Sequence, residues 1–508
     1  MISFDDYGGN GGNVDLSPIY LSLGVLKSNT QMIWDSLTNG TGTITLSIPY
    51  LETYRTENEA YMYNISGDLP TFSGNKFING FYTISNQQYT DDLINLNYVN
   101  DCGYATFAGK SINISGSTFC SDLFSSCEYV NLMANILNGN IFSQINYVNV
   151  SAYSLNSSAT SIYNINSFES CTNINVSFNS GTFINFNKNF CINVSGIYGK
   201  FLYANSNVNV KLNLNSLDTF GIYSADILNM TCWVMTSGSF NWIGIGNING
   251  YNMSIPTFKN NININLTGLQ LRQASIESNN IMNITCIDMI ENTISSCSNI
   301  SIYCSRLVNG SLGNISNLTL NCNLLNQMNL KTIEAISGSI YSLQANTLSN
   351  CSVNLSGDVL SGVSFNDVKG LLSFKTITNC TFNEISNLKV YCTLCQNLTV
   401  SSGEKLTYEF ISAGYMNFDK LSSLSVKNID LMGAARFTSC SDLTLNVPLN
   451  KTNGIGRDYR LSEDAGWLGK LVLKRVPFEL PYTISSISEY GVRYTNSNNL
   501  YFLEGNAY

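Results

Sequence analysis

The side chains that could carry chemistry are few, and there is no histidine. Its absence removes the commonest general base, the commonest zinc ligand and every Ser–His or Cys–His mechanism. Catalysis would have to rest on carboxylates, Tyr, Lys or Arg. The densest acidic group inside the chain is Glu277, Asp288 and Glu291, with Asp218/Asp226 and Asp358/Asp367 as thinner pairs. A pair of carboxyl groups flanking a glycosidic bond is enough to hydrolyse a polysaccharide, so these three acids are the catalytic candidates. Acids scattered at random along so long a chain would also give such a cluster. Cys392 and Cys395 form a CxxC. With no second pair and no histidine it does not make a zinc site, and neither a metal nor a cofactor is expected. Trp233 and Tyr251 are the candidates for glycan binding, since exposed aromatic rings offer apolar surfaces to sugars.

Composition narrows the field further. The chain has 508 residues, of which 44% are hydrophobic and only 12% charged, with a net charge of -9. Nucleic acid would demand a basic face, and an anionic membrane surface is equally disfavoured. No apolar run is long enough to span a bilayer, so membrane insertion is not expected. The first residues, MISFDDYGGNGG, show neither a basic n-region nor an apolar h-region, so no signal peptide is read. The expectation is synthesis in a reducing cytoplasm, with the 15 cysteines mostly buried and free.

The elements that would position these residues emerge from a repeat. Met282-Asn-Ile284-Thr-Cys286, Ile300-Ser-Ile302-Tyr-Cys304 and Leu318-Thr-Leu320-Asn-Cys322 are alternating segments, each displaced by 18 residues. Alternation with period two is the mark of a strand with one buried face. The same ruler carries Ile174/Val176, Ile192/Val194, Val210/Leu212 and Leu228/Met230. An earlier phase runs through Ile94/Leu96, Ile112/Ile114, Val130/Leu132 and Val148/Val150, and about eight extra residues near Asn156–Ser167 read as a bulging loop. After a slip of one or two residues the period resumes at Leu372/Phe374, Leu388/Val390 and Leu406/Tyr408. Further apolar columns lie seven residues on (Leu271, Met289, Leu307) and twelve residues on (Phe258, Ile276, Ile294). Each 18-residue coil thus offers inward residues from about three sides. The fold predicted is all-β, a single-stranded parallel β-helix or β-solenoid, rather than an α-solenoid, whose repeats are longer and helically spaced. Stacking at strand spacing gives a rod on the order of 90 Å long.

The outward positions are equally regular. Asn113, Asn131, Asn149, Asn175, Asn193, Asn229, Asn247, Asn265 and Asn283 follow the first inward column by one residue, and Ser115, Ser151, Ser177, Ser195, Thr231, Thr267 and Thr285 follow two later. The many Asn-x-Ser/Thr sequons are by-products of these two columns. Stacked amides can hydrogen-bond along the rod, and such a face could pack on a copy of the chain or lie along a glycan. Trp233 and Tyr251 fall in one column near a corner, followed by Leu269 and Ile287. The column reads either as an exposed platform or as a covered edge.

The ends depart from the repeat. Residues 1–13 read as an arm. Thr30 can cap a short helix carrying Ile33, Trp34 and Leu37, followed by the turn Gly40-Thr-Gly42-Thr and a strand ending at Pro49-Tyr50. This order resembles the opening of the pectate-lyase-like right-handed β-helices of bacteriophage tailspikes and tail fibres. Ser28-Asn29-Thr30 stands where that family commonly has an acidic Asp-Asp-Thr. The resemblance implies a right-handed winding, which an 18-residue coil alone does not decide, and an N-terminal helix that closes the solenoid. It also implies a homotrimer on a virion, docked to other virion proteins through its arm and directed at a host surface glycan or protein. The division predicted is 1–50 for arm, capping helix and first strand, 51–93 for an irregular entry, 94–447 for the β-helix and 448–508 for a separate C-terminal cap, oligomerisation or tip region. The functional expectation is a structural virion fibre or spike of a tailed phage, acting in host attachment. The alternative is a polysaccharide depolymerase of tailspike type.

Overall fold

The computed structural model describes the chain from Glu59 to Met432, except residues 64–74, 86–87, 91 and 157–164, together with short strands beyond, the last at 505–506. The expected capping helix and Gly turn fall before Glu59 and lie outside the described residues. Among the described residues there is no helix. The strands stack in parallel as a β-solenoid of about 18 turns, which at strand spacing makes a rod of roughly 85 Å.

One coil shows how the sequence produces the turn. Residues Ile281–Ile290 form a ten-residue strand with the burial alternation read from the sequence. Met282, Ile284 and Cys286 point inward, the strand bends at Ile287, and Met289 points inward again. Glu291 then adopts a left-handed backbone, φ 58°, which turns the chain into the short strand Thr293–Ser295. Ser296, φ 56°, makes the second turn, and the next long strand begins at Asn299. Left-handed residues break a strand without needing a long loop. Two such positions per coil recur along the rod, most of them Ser, Asn or Gln but including Phe183, Phe201 and Trp242.

Like residues stack on like. Met282 pairs with Ile300, which pairs with Leu318, and none of the three is more than 1% exposed. The column twelve residues on carries a file of rings: Tyr89, Phe107, Phe124, Phe142, Phe168 and Phe186 are stacked in succession with centroids 4.7 to 5.2 Å apart. Burial of each such side chain stabilises the rod by roughly 1.5–3 kcal/mol. The cysteine column Cys286, Cys304 and Cys322 is in register, and the fourteen described cysteines are all free. Cys286 and Cys322 are buried, whereas Cys304 is only partly so.

The irregularities also match the ruler. Tyr147 pairs with Asn173 and Ile141 with Ser167, a displacement of 26 that is one coil plus eight inserted residues. The later slip consists of two 17-residue coils: Leu320 stacks on Gly338 at the usual spacing, but Gly338 stacks on Leu355 and Leu355 on Leu372. The parallel ladder extends beyond 94–447. It begins with Glu59–Tyr63 on Asn75–Ser85, a sixteen-residue step that the ruler does not detect, and continues to Leu471–Leu473. Among the described residues antiparallel pairing appears at 472–473 with 505–506 and in the hairpin 484–488 with 491–494.

Candidate functional surface

The structure does not draw the three acidic candidates into one site. Glu277 ends the short strand Ser275–Glu277 and is bridged by Lys259 at 3.1 Å. Asp288 lies beyond the bend of the long strand, where the Arg306 guanidinium donates to both its oxygens at 2.7 and 2.8 Å. Glu291 sits on the left-handed turn and accepts from the Gln273 amide at 2.9 Å. Each acid is therefore joined to its own neighbour one coil before or after. Arg306 holds the Asp288 carboxyl below the usual carboxylate range, which favours its ionised form over that of a proton donor. Asp218 is held low in the same way, by hydrogen bonds first from Thr236 at 2.6 Å and then from Lys200. Asp358 is bridged by Lys375. Among the described residues no three His, Cys, Asp or Glu side chains converge as a metal would require. Cys392 and Cys395 both face the core, with Cys392 3.4 Å from the buried Tyr408 hydroxyl.

Trp233 and Tyr251 do meet. Their rings are stacked at 4.2 Å with planes 5° apart, and they are 59% and 40% exposed. Within one chain the column is thus an exposed edge, prolonged by Ile287, also exposed. The rings cover one another's facing sides, so the surface they leave open is their rims and outer faces.

A polar surface is formed by the first half of the long strands. The amides are joined coil to coil: Asn175 donates to Asn149, Asn193 to Asn175, Asn247 to Asn229, Asn265 to Asn247, Asn283 to Asn265 and Asn317 to Asn299, at 2.9 to 3.3 Å. The first five of these bonds are the ladder expected of the outward asparagines, whereas Asn317 and Asn299 belong to the column two residues earlier. The inner rungs Asn175, Asn247 and Asn265 each spend one donor and one acceptor lone pair on their neighbours and keep a second N–H for a partner outside. Between Asn131, Asn149, Asn175 and Asn193 on one side and Ser151, Ser177 and Ser195 on the other lies a shallow recess of about 170 Å³.

A second set of amides escaped the sequence reading. Asn140, Asn166, Asn189, Asn207, Asn261, Asn279, Asn292 and Asn346 are buried at the turns. Their oxygens accept backbone N–H groups of the preceding coil, as Asn261 does from Ile243 at 2.8 Å, and their amides donate to carbonyls such as Phe240 O at 3.0 Å. They satisfy backbone groups that the left-handed turns would otherwise leave orphaned. The recurrence of Asn at 189/207 and 261/279, each directly after a turn residue, was the available signal.

Comparison with protein-family models, with curated proteins and with solved structures finds no match to this chain.

Proposed function

We propose that this chain is a structural fibre or spike protein of a tailed phage virion that acts in host attachment, binding a surface glycan or protein without cleaving it. The single observation that carries this reading is the charge-poor face of amide and hydroxyl columns that runs along the rod, broken at Lys211 between the Asn193 and Asn229 rungs. Such a face, preordered by its own ladder, suits repetitive contact with a neutral hydroxyl-rich polymer or with a symmetric copy of the chain. In this reading the glycan contacts are the outer columns and the exposed Trp233–Tyr251 edge, and the protein is a homotrimer. The resemblance of residues 15–50 to tailspike openings supports the virion assignment. The separate ion pairing of Glu277, Asp288 and Asp358 favours binding over depolymerisation, which needs an acid kept protonated beside a second carboxylate.

The test is to incubate the purified protein with a panel of neutral bacterial surface polysaccharides, measuring retention and release of reducing or unsaturated ends, and to take its native mass. Retention without cleavage by a trimer is the expected result. A stable monomer at micromolar concentration that is absent from any virion would overturn the role, and released ends would replace it with the depolymerase.

A further inference from the structure

Asp122 occupies the first rung of a buried ladder that continues through Asn140 and Asn166. Each asparagine rung acts twice. The Asn140 oxygen accepts from Asp122 N–H at 3.0 Å while its amide donates to Phe119 O at 2.9 Å; the Asn166 oxygen accepts from Asn140 N–H while its amide donates to Leu137 O. Asp122 reproduces only the first half. Its Oδ1 accepts from Ala105 N–H at 2.9 Å and from the Cys102 thiol at 3.3 Å, and its Oδ2 is buried without a partner. Phe119 stacks on Cys102 in the ladder register, so the carbonyl that an amide at this rung would cap is that of Cys102. A carboxylate cannot donate to it, but a carboxylic acid can.

We propose that Asp122 is a proton-operated catch on the first coils of the rod: as the neutral acid its O–H caps the Cys102 carbonyl, and as the carboxylate it leaves that rung open and loosens the turn through Tyr104 and Ala105. Both turns that it joins are left-handed, at Tyr104 and Ser121, each φ 57°, so the backbone there depends on its hydrogen bonds to hold its shape. The titratable groups around it are the thiols of Cys102 and Cys120 and, one step out, the Asp101 carboxyl; the side chain stacked above is the neutral Asn140. Burial pushes the Asp122 carboxyl up to about 6, against the opposing interactions of the Ala105 amide, the Cys102 thiol and the Cys120 backbone.

The sign follows from linkage. A carboxyl raised in the fold favours the protonated native state. Its contribution is complete below its ordinary value of 3.8, falls as pH rises from there, and is gone above about 6. A separation of about two pH units corresponds to roughly 100-fold in the opening equilibrium of this turn. The catch does not depend on the attachment role.

The experiment is amide hydrogen exchange of the full chain at pH 4 and pH 7.5, with each rate corrected for intrinsic exchange. The protection factor of the Ala105 amide is expected to be roughly 100-fold higher at pH 4. Asp122→Asn restores the rung, so protection should be high and flat with pH. Asn140→Asp should carry the same dependence one coil onward, to the Asp122 amide. The infrared difference between the unsubstituted protein and Asp122→Asn at pH 5 should show about one protonated carboxyl above the background of the other Asp and Glu residues. Equal protection at both pH values, the same slope in Asp122→Asn, or no protonated carboxyl in that difference would overturn the proposal.

Discussion

Asn279 and Asn283 lie four residues apart on the same winding and spend their amides in different ways. Asn279 is buried: its amide donates to Phe258 O, and its oxygen accepts from both the backbone and the side chain of Asn261. Asn283 lies on the outer face and donates to the Asn265 oxygen at 2.9 Å. Both belong to ladders with an 18-residue step. The inner one closes the backbone accounts of the turns, where an unpaired N–H or C=O has no water to replace its partner. The outer one links side chains to each other beside solvent, which can replace any bond it loses. The same residue type is thus structural inside the rod and available for recognition outside it.

Substitutions can break this contrast, and the largest effect lies in the core that the inner ladder encloses. Phe142→Ala removes a ring from the middle of the stacked file and should cost about 3–5 kcal/mol in urea unfolding; a loss below 1 kcal/mol would mean that the file is not close-packed. Asn279→Ala leaves Phe258 O and two donors of Asn261 without partners, and should cost about 3 kcal/mol. Asn283→Ala should stay within about 0.5 kcal/mol, as at other surface positions. Similar losses at 279 and 283 would dissolve the distinction between the ladders. The smallest effect is expected at Arg306→Ala, read by the titration of Asp288. A carboxyl held low in the fold stabilises it above the ordinary carboxylate range, and that contribution is lost as pH falls through the lowered value. Without Arg306 the Asp288 titration should move up toward the ordinary carboxylate value; an unchanged titration would contradict the pairing.

These contrasts also show which parts of the molecule could be read from the sequence. Met282, Ile300 and Leu318 announce their column because apolar residues alternate along each strand and recur at the coil length. The outer asparagines announce theirs because they fall between those residues. The inner asparagines use the same residue type at the same step, and only the turn geometry distinguishes them. No local rule places Phe183 or Trp242 on a left-handed turn, where coil stacking overrides backbone preference. The spacing of Trp233 and Tyr251 foretold their stacking, but not their exposure, which depends on what packs over the corner. The acids each take a different partner because the path from Glu277 to Glu291 leaves one strand at the left-handed Ser278, runs through the next strand and ends on the turn at Glu291. Asp122 carried no periodic signal at all, being a single acid in a column that passes through Asn140 and Asn166 to apolar residues such as Ile184 and Leu202.

The account rests on each 18-residue period being one turn of a single rod, and spin-label distances test that directly. Asn193 and Asn283 occupy the same outward column five periods apart, so nitroxides on Asn193→Cys and Asn283→Cys, in protein diluted with unlabelled chain, should lie about 24 Å apart. The partly exposed native thiols Cys120, Cys191 and Cys304, together with Cys440, are first replaced by serine so that labelling is confined to the introduced sites. Moving the first label to Asn247→Cys, two periods from Asn283, should shorten the distance to about 10 Å. Narrow distributions at these two values are the result predicted; a broad distribution, or a distance that does not scale with the number of periods, would contradict the solenoid.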